Sequence, residues 1–545
     1  MTRARITLTG ALCIAAGLLL GAAGAAPPEI VLLHGKVFTA DPAMPWAEAV
    51  AVKGERVLAV GKSDEIARLA GPGTRRIDLS GRVVVPGFND AHDHVGPEPS
   101  GMKLQGPKTT LDEVLAALAA AVKTAPAGTR FFDEVGSRIF EDPRANRATL
   151  DRAAPGRFVF LVGWTAHGVL ASSAALSALG VPDEPEDPAG GWFEREAGSR
   201  RASGVVQEYA QFALRRRLCE AEGTAAAARA FQEAAGQAAR FGVTTIQNML
   251  SYLSVEKAAA ALAAAPVPIR IRLIRFPMTD SRGRDSREGR GLAAHPSPLV
   301  TVSGVKWILD GTPIERGAAM REPYADRTGW LGHLNFPESE IRAMLEEARK
   351  SGEQLMLHCA GDRTAEVVLK QMEASGGAAV WAGRRVRIEH GDGLMEDLFA
   401  LARRLGVVVV QNPTHLTLTD VFSARLGPAR APRFLPFGSL AAAGIPLAIG
   451  SDGPMNPFLN ILCAVTNPNH PNDALTVEQA VTAYTRGSAF AEFAEKEKGT
   501  LAAGMLADLA VLSQDIFTVA PPKLPETESV LTLVGGKIVY EKKTP

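Results

Sequence analysis

The chain has 545 residues, of which 46% are hydrophobic and 22% are charged, and its formal net charge at neutral pH is zero. This length exceeds one small domain, and the balanced charge creates no strong field for nucleic acid or an anionic membrane. Its four cysteines are widely spaced and include no C-x-x-C pair, which excludes a disulfide framework and a cysteine-based zinc site. We therefore expect a globular protein of several domains that does not bind nucleic acid.

Residues 1–25 have the pattern of a secretory signal peptide. Two arginines within the first five residues precede an uncharged stretch at positions 6–26, and Ala23-Gly24-Ala25 forms a small-x-small cleavage site. An uncleaved membrane anchor is the alternative, because the uncharged stretch is long enough to span a bilayer. The small-residue ending favours cleavage after Ala25. It predicts an exported protein, periplasmic or secreted, without stable membrane insertion after cleavage.

Short segments rich in valine and isoleucine lie at both ends of the mature chain. Residues 27–85 contain three such segments, and residues 497–545 contain two more around a Gly535-Gly536 turn. Isolated hairpins are only marginally stable, so these strands need partners. We predict one small β-sandwich that both termini build together.

Strands and helices alternate through residues 86–496. Eight continuous apolar strands can be counted, from the one that leads into "NDAHDH" to the one that leads into "AIGSD". Such runs are typical of parallel strands buried on both faces, and eight βα units predict a (β/α)₈ barrel. A doubly wound open sheet is the competing architecture, but no strand is followed by a G-x-G-x-x-G loop.

An insertion at residues 101–222 separates barrel strands 1 and 2. It contains the helical stretch "LDEVLAALAAAVKT", the strand-like "RFVFLVGWTAHG" and the Gly- and Pro-rich "VPDEPEDPAGGWFE". A segment of this length is not a simple loop. We expect it to cover the mouth of the barrel.

Side chains that can bind metal recur where the predicted barrel strands end. His92 and His94 are two residues apart at the end of strand 1, so both imidazoles point to one face. Strands 5, 6 and 8 end at His358, His390 and Asp452. A single histidine at the end of a strand is more often an ordinary hydrogen-bonded residue than a metal ligand. Four of them and an aspartate at the rim where barrel active sites lie predict a metal site.

Lys306 lies within the apolar strand "VKWILDG", where a charged amine is costly unless it is paired or neutralised. An ammonium group has no lone pair for a metal ion, whereas a lysine carbamylated by CO₂ is an anionic ligand with two oxygens. The strand alone favours a simpler interpretation, an ion pair with Asp310 on the same face.

A family resemblance unites these positions. The set resembles the metal-dependent amidohydrolase superfamily over nearly the whole mature chain. The stretches "GWTAHGVLASSAAL", "VKWILDGTPIERGAAMREPY", "LHCAGDRTAE" and "IEHGDGL" are similar to the branch of N-substituted formamide deformylase. The resemblance implies one or two divalent ions, Zn²⁺ being the expected one, and a bridging carbamylated lysine. It makes carbamylation the favoured interpretation of the buried lysine. The implied ligands are His92, His94, Lys306, His358, His390 and Asp452.

The resemblance also implies an activity. We expect hydrolysis of a carbon–nitrogen bond, of the amide or formamide type and other than a peptide bond, in a small-molecule substrate by metal-activated water. Asp452 is the expected catalytic residue, as general base and then general acid. His167, in the insertion, is a candidate for hydrogen-bonding the substrate carbonyl. A structural histidine of the insertion is the alternative for that residue.

Other functions fit the same residues. A deaminase of cyclic amidines shares the ligands and the attack chemistry, and a lactonase, an esterase or a phosphotriesterase-like enzyme also suits a two-metal barrel. A non-catalytic scaffold is disfavoured, because every ligand position is filled. The sequence permits a homo-oligomer without defining one.

Overall fold

A computed structural model describes residues 26–543, so the predicted signal peptide at residues 1–25 lies outside the described residues. Within residues 26–543, no helix combines the length and the apolar composition that crossing a bilayer requires. Three bodies make up the described chain: a parallel barrel, a sheet domain inserted into it, and a sandwich at the chain ends.

Eight parallel strands form the central sheet and neighbour one another in chain order, which confirms the predicted barrel. Most of their residues are buried on both faces, as the continuous apolar runs predict. The strands are β1 (Phe88–Asp93), β2 (Val243–Met249), β3 (Arg270–Arg275), β4 (Val300–Ile308), β5 (Leu355–Cys359), β6 (Arg387–His390), β7 (Val408–Gln411) and β8 (Leu447–Ile449).

β1 and β8 meet at the C-terminal rim of the barrel. The backbone N–H of Asp452 donates to the carbonyl of His92 at 2.9 Å, and the N–H of Ser451 donates to Oδ1 of Asp90 at 2.8 Å. This approach requires Gly450, because a Cβ there would lie 2.4 Å from Cβ of His92. The contact brings the two strand ends that carry predicted metal ligands side by side.

Helices connect most of the strands on the outside of the barrel. In Glu338–Ser351 the apolar residues recur at the spacing of one helix face, and Gly352 ends the helix in the left-handed conformation at φ 72°. Between β3 and β4 the Gly-, Pro- and Arg-rich sequence forms a two-stranded hairpin in place of a helix. The other main helices are Gly223–Arg240, Val255–Ala264, Asp362–Ala374, Phe399–Leu405, Thr419–Leu426, Phe437–Ala442, Pro457–Thr466 and Val477–Thr482.

The predicted sandwich of both termini is confirmed. Leu509–Leu512 runs antiparallel to Val83–Pro86 and joins the two chain ends in one six-stranded sheet. Valine and leucine side chains from this sheet and a four-stranded sheet share one core. The remaining strands of the six-stranded sheet are Lys36–Phe38, Trp46–Ala47, Ser529–Val534 and Lys537–Glu541, and the four-stranded sheet consists of Ile30–Leu33, Ala49–Lys53, Arg56–Gly61 and Arg75–Asp78.

The insertion between β1 and β2 has a sheet and an apolar core of its own. Its last strand leads directly into the helix Tyr209–Ala221, which returns the chain towards the barrel. The five strands are Phe131–Val135, Val159–Gly163, Gly168–Ala171, Gly191–Arg195 and Ala202–Glu208, and the main helices are Leu111–Thr124, Arg147–Ala153 and Ser173–Ala178.

Candidate active site

A cavity of about 760 Å³ opens at the C-terminal ends of the barrel strands. Residues of the barrel line it on one side, among them His94, Lys306 and Asp452. Residues of the insertion, among them Trp164 and His167, line it on the other. The insertion therefore forms part of the wall at the barrel mouth, which is the position predicted for it from its length.

Five of the predicted ligand residues converge in this cavity. Oδ1 of Asp452 lies 3.7 Å from Nε2 of both His92 and His94, and its Oδ2 lies 3.8 Å from Nδ1 of His390. The ring centroids of His358 and His390 are 4.4 Å apart, and those of His92 and His390 are 4.9 Å apart. His92, His94 and Asp452 form a group of side chains close enough to share one ion. Residues separated by more than 350 positions in the chain thus meet at one centre.

Two of these residues have unusual backbone conformations. His390 has φ 67° and Asp452 has φ 44°, both in the left-handed region. A non-glycine residue held in this region costs about 1 to 3 kcal/mol, and such residues cluster at functional sites. The strain occurs where β6 and β8 end, and it accompanies side chains directed at the same centre.

Glu389 orients His92. Its Oε2 lies 2.6 Å from Nδ1 of His92, and Arg387 donates to both carboxylate oxygens at 2.6 and 3.0 Å. All three side chains are fully buried. Burial raises the pKa of Glu389, but the Arg387 charge and the hydrogen bond to His92 outweigh it and hold that pKa well below its usual range. An ionised Glu389 fixes the Nδ1–H tautomer and leaves Nε2 of His92 free to bind a metal ion.

Asp310 has the same role for His358. Its Oδ1 lies 3.0 Å from Nδ1 of His358, and its oxygens accept hydrogen bonds from the backbone N–H groups of Ala360 at 3.1 Å and Gly361 at 2.9 Å. The ion pair of Asp310 with Lys306, which the strand alone favours, is not formed. The turn after β5 supplies the partners of this carboxylate instead.

Three buried nitrogen atoms at the centre have no hydrogen-bond partner among residues 26–543. They are Nζ of Lys306, Nε2 of His92 and Nδ1 of His390. Burial lowers the pKa of the Lys306 amine to about 8. Unpaired buried polar atoms are costly and rare, and a bound cation removes that cost for an imidazole lone pair. Imidazole and carboxylate donors suit zinc and similar divalent ions, so the residues present fit a metal site.

His415 also belongs to the site, although it was not among the ligands predicted from the sequence. It follows β7, with Nε2 at 3.7 Å from Oδ2 of Asp452 and Nδ1 at 3.4 Å from Oδ2 of Asp392. Its ring stacks on that of His390 at 5.4 Å. Burial lowers the pKa of His415, but the hydrogen bond to Asp392 and the nearby charge of Asp452 raise it to about 10. The available signal was a histidine in "QNPTH", next to the end of a strand with no assigned ligand.

His167 approaches the same centre from the insertion. Its ring centroid is 5.2 Å from that of His358, and its Nδ1 lies 2.9 Å from Oε1 of Glu208. Burial lowers the pKa of His167, but the charges of Glu208 and Glu315 raise it to about 9. Ala166 and Glu208 have φ 61° and 51°, so the backbone on both sides of this pair is strained. The geometry agrees with a substrate-facing position, and the role of His167 stays a prediction.

The barrel, the histidines and aspartate at its strand ends, and the terminal sandwich are together the architecture that the family resemblance predicts. Residues 75–540 match the Amidohydrolase family, so the chain belongs to it.

Relatives and solved structures also match most of the chain. Putative amidohydrolase YtcJ of Bacillus subtilis is 28% identical over 91% of this chain and 96% of its own. N-substituted formamide deformylase of Arthrobacter pascens is 28% identical over 94% and 98% of the two chains. Protein LONG AFTER FAR-RED 3 of Arabidopsis thaliana is 29% identical over 94% and 91%. An uncharacterized metal-dependent hydrolase from Pyrococcus horikoshii shares the fold, with a TM-score of 0.68 at 22% identity over 90% of this chain and 99% of that one.

Proposed function

We propose that the protein is a metal-dependent hydrolase that cleaves a carbon–nitrogen bond, of the amide or formamide type, in a small molecule. One observation carries the proposal: Asp452 and four histidines converge on one centre where buried nitrogen atoms have no partner in the described chain. Membership of the Amidohydrolase family supports hydrolysis in general. The similarity to N-substituted formamide deformylase supports the finer choice of bond.

In this proposal the cavity holds one or two divalent ions, with zinc as the expected metal. When bound, such an ion polarises a carbonyl group and makes water acidic enough to attack it near neutral pH. His92, His94 and Asp452 would hold one ion, and His358 and His390 would hold a second.

Asp452 is the proposed catalytic residue. Burial raises its pKa, but the surrounding histidines, with His415 protonated, hold that pKa well below its usual range, so its side chain is ionised. The carboxylate would take the proton of the attacking water and pass it to the leaving nitrogen. His167, protonated through its contact with Glu208, would donate a hydrogen bond to the substrate carbonyl oxygen.

Carbamylation of Lys306 is part of the proposal. Its amine is fully buried and has no partner among the described residues, and its lowered pKa provides neutral amine to react with CO₂. The N–C bond forms with release of one proton, and the resulting carbamate would be an anionic ligand. Native mass spectrometry should find an acid-labile addition of about 44 Da, the mass of CO₂, that is absent from Lys306→Met. The absence of this addition from active wild-type protein would exclude the modification.

The decisive test combines elemental analysis of the purified protein with a screen of N-formyl and N-acyl compounds. We expect stoichiometric divalent metal and release of a carboxylic acid together with an amine. Release of ammonia from a cyclic amidine would replace the proposal with a deaminase, and turnover of esters alone would replace it with an esterase or lactonase. A protein without metal and without turnover of any of these compounds would contradict hydrolysis altogether.

A further inference from the structure

Arg215 lies on a different part of the cavity wall from the histidine cluster. It belongs to the helix Tyr209–Ala221 and lines the same cavity. Its guanidinium stacks on the ring of Tyr252 at 4.3 Å, and the centroid of that ring is 6.1 Å from the ring of His94. One aromatic side chain therefore separates Arg215 from the proposed metal-binding residues.

Its neighbours in the sequence form ion pairs or hydrogen bonds, whereas Arg215 forms neither within residues 26–543. Arg216 pairs with Glu288 at 2.8 Å, and Arg217 donates to the carbonyl of Leu179. Nε of Arg215 is buried and has no hydrogen-bond partner, and no described carboxylate forms an ion pair with its guanidinium. A buried donor without an acceptor costs about 1 to 3 kcal/mol, and more for a charged group.

The acidic side chains near Arg215 do not accept a hydrogen bond from its guanidinium. Glu98 and Glu134 line the same cavity. Burial raises the pKa of Glu134, and the charge of Arg215 opposes this rise from beyond ion-pairing distance. Phe212, on the same helix, and Phe422 add apolar surface to the wall. A planar guanidinium on an aromatic surface matches a carboxylate, which accepts two parallel hydrogen bonds from it.

We propose that Arg215 binds a carboxylate group of the substrate, which makes the substrate class N-formyl or N-acyl compounds that carry a carboxylate. The identity of the cleaved bond rests on the proposed function. Binding of the carboxylate does not rest on the proposed function, because binding requires no turnover. In this arrangement the carboxylate lies against Arg215 and Tyr252, and the amide extends past the aromatic ring towards Asp452.

The binding test uses two probes without a cleavable bond, 3-phenylpropanoate and 3-phenylpropan-1-ol, titrated calorimetrically into the metal-loaded full-length protein. We expect the wild type to bind the acid at least 10-fold more tightly than the alcohol, the range that a charge-assisted hydrogen bond provides. Arg215→Gln should remove this preference. Arg229→Gln should keep it, because Arg229 is an exposed arginine of the next helix, outside the cavity wall.

Two results would overturn the proposal. One is equal affinity of the wild type for the acid and the alcohol. The other is a preference for the acid that survives in Arg215→Gln, which would assign the carboxylate to the metal. If the glutamine variant fails to fold, as judged by circular dichroism, Arg215→Met replaces it, because methionine keeps an apolar stem on the ring of Tyr252 without the charge.

A kinetic arm separates this inference from the proposed function. N-formylphenylalanine and N-formylphenethylamine differ only in the carboxylate. We expect kcat/KM to favour the acid in the wild type at least 10-fold and to lose that preference in Arg215→Gln. If neither compound nor any other amide is hydrolysed while the binding preference depends on Arg215, the proposed function fails and the carboxylate site stands.

Discussion

The barrel side and the insertion side of the cavity differ in how their polar residues are supported. On the barrel side, buried carboxylates fix the histidines, as Glu389 does for His92 and Asp310 does for His358. On the insertion side, Glu208 holds His167, but Arg215 forms no hydrogen bond or ion pair in the described chain. The barrel thus offers an oriented centre whose unpartnered nitrogen atoms can bind a metal ion, whereas the insertion offers a guanidinium that a substrate can satisfy. We infer that the barrel carries the chemistry and the insertion selects the substrate.

The sharpest test on the barrel side is Asp452→Asn, with the largest expected effect. Asparagine tolerates the left-handed backbone at this position and keeps an oxygen for the metal, but it cannot take a proton. We expect kcat to fall on the order of 10³-fold, with metal content near that of the wild type by elemental analysis. Asp420→Asn, at an exposed position, is the matched control. Normal turnover by Asp452→Asn would exclude the assigned role.

On the insertion side, His167→Asn tests the substrate contact. Loss of a donor to the carbonyl oxygen should lower kcat/KM about 10²-fold. Metal content should not change, because His167 belongs to the insertion wall and not to the strand ends. Steady-state kinetics and elemental analysis of one preparation check both statements. If His167 has only a structural role, the substitution would instead lower the melting temperature and leave the kcat/KM of the folded fraction unchanged.

Glu389→Gln should instead weaken metal binding, in contrast to His167→Asn, which should lower kcat/KM at unchanged metal content. The variant loses the ionised partner of His92, so metal affinity should fall about 10- to 100-fold in competition with a chelator. Activity should return at saturating metal. Glu396→Gln, at an exposed position in the connection after β6, should leave affinity unchanged. Unaltered metal affinity in Glu389→Gln would mean that the carboxylate supports the fold alone.

The smallest effect is expected at the opposite end of the barrel. Gly352 has φ 72°, and a Cβ there would meet no atom within 4 Å, so alanine would introduce backbone strain without a clash. Gly352→Ala should lower the free energy of unfolding by about 1 kcal/mol in a denaturant titration. Its kcat/KM should equal that of the wild type. A loss of activity in this variant would contradict the view that activity depends on the rim and not on the opposite end of the barrel.

The strand-end positions could be read from the sequence because a parallel barrel brings all carboxyl ends to one rim. That rule alone unites His92, His358 and Asp452, whatever the connections between them. The terminal sandwich followed in the same way, since short strands at both chain ends had no other partners. The hairpin between β3 and β4 could not be read, because its polar sequence has no period.

The supporting contacts could not be predicted, because they depend on which side chains face each other inside the closed barrel. Glu389 on β6 supports His92 on β1, a pairing that no local pattern encodes. Asp310 shares a strand face with Lys306, but backbone N–H groups after β5 compete for its oxygens. His415 lies beyond the end of its strand, in a loop whose path sequence periodicity does not define.

The pairing of Val83–Pro86 with Leu509–Leu512 has a consequence for biosynthesis. The first of these segments continues into β1 and so into His92, while the second is synthesised more than 400 residues later. A nascent chain that stops short of residue 509 would expose an unpaired strand edge, which invites association with other chains. Synthesis of residues 509–512 is thus a precondition for a fully supported candidate active site.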